Sequence, residues 1–166
     1  MSGSYYYGTN PRHRGTDFWV PSGNPVYAAA SGTVEYIHTG CVPGTLPVNI
    51  SCGDGLGNWV GIVHADGMRS MYGHLTSVNV TVGQVITCTS GPGGTVIGYS
   101  GNTGDSTNQH LHFELRYGGL NIANTSYDPF GGSLSQSFDY WYQYALVADP
   151  LHPGYQMHYP ATTCAP

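Results

Sequence analysis

The sequence predicts an all-β fold, an antiparallel sheet or sandwich with long loops and a tyrosine- and proline-rich C-terminal arm. Three observations lead there. Short runs of β-branched and aromatic residues recur along the chain with turn residues between them. The 166 residues include 25 glycines and 14 tyrosines, a composition suited to strands joined by glycine turns and to a wide aromatic surface. The 3.6-residue periodicity of an amphipathic helix is nearly absent up to about residue 130.

The runs come in order. TDFWV at 16–20 opens the series, and Thr16, Phe18, Trp19 and Val20 disfavour a helix there. NPVYAAA at 24–30 and GTVEYIH at 32–38 follow. The turn-rich insert CVPGTLPVNISC is bounded by Cys41 and Cys52, which are predicted to be joined; closing such a loop contributes about 3 kcal/mol in the chain-entropy picture. Cys88 and Cys164 then fall to each other by elimination, and the absence of a C-x-x-C pair argues against a zinc ribbon. NWVGIVHA at 58–65, RSMYGHL at 69–75, SVNVTV at 77–82, GTVIGYS at 94–100 and HLHFELRY at 110–117 complete the strands. After DPFGG at 128–132 the composition shifts to a proline- and tyrosine-rich stretch. This divides the chain into a domain at 1–131 and an extension at 132–166 that packs back on it, with a short helix predicted at 134–147.

A chain of this length buries about two-thirds of its unfolded surface, so neither metal nor disulfide is needed merely to make a core. Charged residues are 8%, lysine is absent, and the only cations are Arg12, Arg14, Arg69 and Arg116. With a net charge of -5 and no basic stripe, nucleic acid is excluded as a partner. No apolar stretch approaches a membrane span, and no secretory h-region follows Met1; the expectation is a mature form or a chain exported without a cleaved signal, for instance by cell lysis.

HLHFEL carries the first chemistry. On a strand Leu111, Phe113 and Leu115 fall on one side, and His110, His112 and Glu114 on the other, so two imidazoles and a carboxylate share a surface. A second constellation is HRGTD, where His13, Gly15 and Asp17 face the same way on an extended segment and the glycine leaves room between them. Two neutral imidazoles and one carboxylate make an open zinc site with a fourth position for water. The same donors suit other divalent metals, so zinc rests on ligand softness and precedent. His74, in MYGHL with Tyr72 and Thr76 on its face, and the remaining histidine of the H-x-H pair are candidates to handle protons.

These segments, together with NPVYAAASGTVEYI, GNWVGIVHADGMRSMYGHL, VNVTVGQ, VIGYSGNTGDSTNQHLHFELR and DPF, resemble in order and spacing the lysostaphin-type peptidoglycan endopeptidases, the LytM or M23 metallopeptidase family, over roughly residues 5–130. The resemblance implies zinc held by His13, Asp17 and His112, with His74 and His110 beside the attacking water and the oxyanion. It further implies an oxyanion-stabilising tyrosine six residues before the first ligand, where Tyr7 stands beside Tyr5 and Tyr6. The implied activity is hydrolysis of peptide cross-bridges in bacterial cell wall, outside the cell, at the wall or in the periplasm. Two other roles stay open: an inactive relative serving as a binding or regulatory module, and an active domain borne by a phage tail or lysis apparatus with virion partners. Which histidine is the base and which bond is cut are not legible.

CVPGTLPVNISC and ITCTSGPGG depart from the family pattern and bear on the shape of the substrate groove. His38 and His64 are read as structural, and His152 and His158 as part of the tail. Glu114 is assigned support of the metal side in preference to proton transfer, whereas Asn102 and Thr103 are read equally as substrate contacts or as a plain turn.

Overall fold

The computed structural model describes residues 14–44, 51–87 and 94–118, together with three short strands at 126–127, 146–148 and 156–158. Its strands are β1 (Thr16–Phe18), β2 (Pro25–Tyr27), β3 (Gly32–His38), β4 (Asn58–Val63), β5 (Met68–Leu75), β6 (Ser77–Val78), β7 (Val85–Ile86), β8 (Val96–Tyr99), β9 (Leu111–Tyr117), β10 (Ser126–Tyr127), β11 (Leu146–Ala148) and β12 (Gln156–His158). A 3-10 turn at Cys52–Gly55 precedes β4. Among the described residues no helix is long and apolar enough to cross a membrane.

A seven-stranded sheet runs β1-β9-β5-β4-β3-β7, with β10 also paired to β9, and a three-stranded sheet runs β2-β8-β6. All of these pairs are antiparallel, as expected for strands that keep one apolar face. The core joins the two sheets. Val34, Val60, Ile62, Tyr72, Ile86 and Phe113 of the large sheet form one buried cluster with Val26 and Ile97 of the small one. Phe113 is its aromatic hub, packing edge-on against Tyr72 at 5.3 Å and Phe18 at 6.4 Å between ring centroids.

That packing decides where the polar side chains go. With Phe113 in the core, alternation turns His112 and Glu114 to the other face, and a slip of one residue would exchange the two sets. β1 adds the decisive neighbour, since Asp17 pairs directly with His112 and Thr16 with Phe113.

Several sequence expectations need adjustment. SVNVTV is a strand only at Ser77–Val78, because a turn at Thr81–Gln84, with Gly83 at φ 85, redirects the chain into β7 against β3. The predicted helix at 134–147 meets strand β11 at its end, where Leu146 pairs with His158 and Val147 with Met157; residues 134–145 lie outside the described residues. Cys41 and Cys52 form the expected disulfide, with Cα atoms 6.0 Å apart. Cys88 and Cys164 lie outside the described residues.

Candidate active site

Asp17, His74, His110 and His112 meet at one end of the large sheet, brought there by β1, β5 and β9. Asp17 Oδ1 lies 2.8 Å from His112 Nδ1 and 3.5 Å from His110 Nε2. The His74 ring stands 4.5 Å from that of His110 and 5.5 Å from that of His112, and one ring nitrogen from each of the three falls within 4.8 Å of the others. His13 and Tyr7 lie outside the described residues. Gly15, between His13 and Asp17, leaves room for β9: a Cβ there would come within 2.6 Å of His112 Nε2 and 2.4 Å of the Phe113 carbonyl.

His74 reaches the cluster through a break in the strand. The β4–β5 register shifts between Asn58 and Val60, and His74 takes φ 59, a left-handed conformation disfavoured for any residue with a Cβ. Its N–H then bonds to the Leu56 carbonyl at 2.7 Å instead of continuing the ladder. Simple alternation, which put Tyr72 and Thr76 beside it, fails here. Tyr72 goes to the core, its hydroxyl accepting from the Ala29 N–H.

Hydrogen bonds fix where each ring carries its protons. His74 Nδ1 is 2.7 Å from the Thr103 carbonyl, and His110 Nδ1 is 2.7 Å from the Asn108 carbonyl. A carbonyl only accepts, so both rings carry their proton on Nδ1 and turn an Nε2 lone pair inward. His112 differs, because a carboxylate stands at each nitrogen. Its Nε2–H donates to Glu114 Oε1 at 2.9 Å and its Nδ1–H to Asp17 Oδ1 at 2.8 Å, so the metal-free ring carries both protons, and a cation at Nδ1 would displace the second. Arg116 Nε donates in turn to Glu114 Oε2 at 2.6 Å.

The electrostatics separate the rings. Burial, then the proximity of His112 and His110, lowers the His74 pKa to about 3 and keeps this ring neutral. Burial acts in the same direction on His112, but its hydrogen bonds to Asp17 and Glu114 outweigh it and raise the pKa to about 9 in the metal-free chain. Glu114 is held below the usual carboxylate range: burial opposes this, and the bonds to His112 and Arg116 prevail.

The sequence signature of peptidase family M23 matches residues 11–124. The chain belongs to peptidase family M23. Among M23 relatives, the glycyl-glycine endopeptidase ALE-1 of Staphylococcus capitis is 36% identical over 129 residues, covering 76% of this chain and 31% of that protein. The peptidoglycan DD-endopeptidase ShyA of Vibrio cholerae is 38% identical over 103 residues, covering 62% of this chain and 20% of that protein. The chain thus spans about a fifth to a third of the length of these curated M23 relatives. A solved catalytic domain of the prophage-encoded M23 protein EnpA from Enterococcus faecalis superposes with a TM-score of 0.58 at 30% identity, covering 78% of this chain and 91% of that one.

Sequence reasoning missed what holds the M23 histidines in place. Thr103, weighed as a substrate contact or a turn residue, is fully buried; its carbonyl holds His74, and its hydroxyl accepts from the Asn58 N–H and donates to the Leu75 carbonyl. Asn102 accepts from the Ser106 hydroxyl. No residue-level signal marks these carbonyl acceptors, because backbone groups leave no trace in a motif. His38 and His64 make local contacts away from the cluster, His38 to the Gly57 carbonyl and His64 between the Ser31 carbonyl and the Ser70 hydroxyl. His38 also lies near Cys41 and Cys52, whose sulfurs are bonded to each other and offer no thiolate to a metal.

Proposed function

We propose that this chain is a zinc endopeptidase that hydrolyses peptide cross-bridges of bacterial peptidoglycan outside the cell, with its enzymatic unit at 1–131 and an appended arm at 132–166. The observation that carries the proposal is the meeting of His112 Nδ1 with Asp17 beside two inward-facing Nε2 atoms, those of His74 and His110. The donor set fits zinc. Imidazole nitrogen and carboxylate oxygen are its usual oxygen and nitrogen ligands, and His13, four residues before Asp17, supplies the third. Glu114, accepting from the far nitrogen of His112, is the carboxylate partner that metal-binding histidines commonly have. Zinc held by His13, Asp17 and His112 would polarise the scissile carbonyl and acidify the attacking water.

The remaining groups divide the proton work. His74, neutral and with its Nδ1–H committed to Thr103, offers only an acceptor at Nε2 and orients the water. His110 Nε2, 3.5 Å from the Asp17 carboxylate, is the nitrogen placed to take the proton and return it to the leaving amine. Tyr7 is assigned to the developing oxyanion.

ALE-1 and ShyA are named for different bonds, so the substrate must be found with walls of defined cross-link type. Zinc per chain and release of new amino groups separate the roles. His110→Ala should keep its zinc and lose a factor of about 10² or more in rate, while His112→Ala should lose both. If His110→Ala sheds the metal and His112→Ala retains it, the assignment is reversed.

A further inference from the structure

Glu114 is a buried carboxylate with both oxygens in use, Oε1 by His112 Nε2–H and Oε2 by Arg116 Nε–H. Its exposure is 3%, against 4% for His112 and 9% for Arg116, so water has little access to substitute for either partner. We infer that Glu114 and Arg116 act together as positioning residues that decide which nitrogen of His112 faces Asp17. The requirement is for two acceptor oxygens, and negative charge alone does not meet it. The inference rests on the reading of His112 as a metal ligand.

The reasoning is a matter of donors and acceptors. A guanidinium can only donate, so whatever touches Arg116 Nε must accept. A neutral imidazole has one N–H and one lone pair, and a cation between His112 and Asp17 needs that lone pair on Nδ1. The proton must then sit on Nε2, and the group touching Nε2 must accept as well. A carboxylate satisfies both sides. An amide has one oxygen and one NH2, so glutamine at 114 cannot. Arg116 cannot give up its donor, whereas imidazole can change tautomer. The amide oxygen therefore goes to Arg116, the NH2 turns to His112 Nε2, and the imidazole proton moves to Nδ1, where the cation would bind.

The test compares wild type, Glu114→Gln and Glu114→Gln/Arg116→Met, each checked for folding by its unfolding transition. Zinc affinity is measured by chelator competition, and the His112 tautomer by ring-nitrogen NMR of the zinc-loaded or alkaline protein, in which the ring is neutral. Glu114→Gln is expected to weaken zinc by about 10- to 100-fold and to show the proton on Nδ1. The double variant removes the competing donor, lets the amide oxygen turn to His112, and should recover most of that loss with the proton back on Nε2. Affinity equal to wild type in Glu114→Gln overturns the inference, as does equal weakening in both variants with an unchanged tautomer. Should Glu114→Gln fail to fold, the zinc-loaded wild type decides. Zinc on Nδ1 with a proton on Nε2 supports the inference, and zinc on Nε2 overturns it. A wild-type chain that binds no zinc removes the metal reading itself, and this inference with it.

Discussion

At His74, backbone strain and electrostatic strain coincide. The residue sits at φ 59, where a Cβ crowds the neighbouring backbone, and its imidazole is buried beside two others. Glycine is at ease in that conformation and alanine is not. His74→Gly should therefore be more stable than His74→Ala by about 1 kcal/mol, although both lose the ring and the water-orienting role proposed for it; denaturant unfolding of the two variants measures the difference. The pKa values of His74 and His112 give the metal-free chain a stability maximum. His74 has a folded pKa of about 3, below its ordinary value, so between pH 6.5 and 3 the unfolded chain binds a proton that the folded chain refuses, and stability falls on acidification. His112 has a folded pKa of about 9, so its contribution is complete below pH 6.5 and is lost as pH rises through 9. The combined contribution peaks near pH 6.5, with limbs on the order of 3 kcal/mol. Unfolding of chelator-treated protein from pH 4 to 9 should show this peak, and zinc should abolish the alkaline limb; stability still rising from pH 6.5 to 9 would contradict the His112 assignment, and stability falling from pH 4 upward would contradict that of His74.

At the scale of elements, the site depends on three strands and one loop. β9 was legible in the sequence because its alternation is unbroken from Leu111 to Arg116, and the histidines face as HLHFEL requires. In HRGTD the facing of Asp17 was legible, whereas the close approach of His112 to Gly15 was not, because the sequence argument looked only at the glycine's own neighbours; His13 lies outside the described residues. β5 was legible as a strand but not in the direction of His74, because the bulge arises from pairing with β4 and from the Leu56 carbonyl, neither of which is local. The loop at 101–106 was the least legible. Its buried Thr103 ties Asn58 and Leu75 to the His74 ring through one hydroxyl and one carbonyl. Thr103→Val keeps the shape and removes the hydroxyl, taking from the Asn58 N–H its acceptor and from the Leu75 carbonyl one of its two donors, the other being the Asn58 side-chain amide. It should cost about 1–3 kcal/mol of stability and lower kcat by displacing His74, with zinc content unchanged. Loss of zinc in this variant would place His74 among the ligands instead of the proton handlers. The disulfide belongs to this scale too. It was legible from two cysteines around a turn-rich insert, and it anchors the turn that leads to Leu56.

Among the described residues, the seven-stranded and three-stranded sheets share an apolar interior that sets the register of a polar face, and that face gathers Asp17 and three histidines where β1, β5 and β9 meet. Membership of family M23 agrees with this arrangement. The central claim is that the gathered side chains work on a wall peptide through a bound metal. The most direct test follows new amino groups released from purified peptidoglycan by the native chain, by the chain after exhaustive chelation, and by that chain resupplied with zinc. The account predicts release that disappears on chelation and returns at about one zinc per chain. Release that continues undiminished in verified metal-free protein would contradict it.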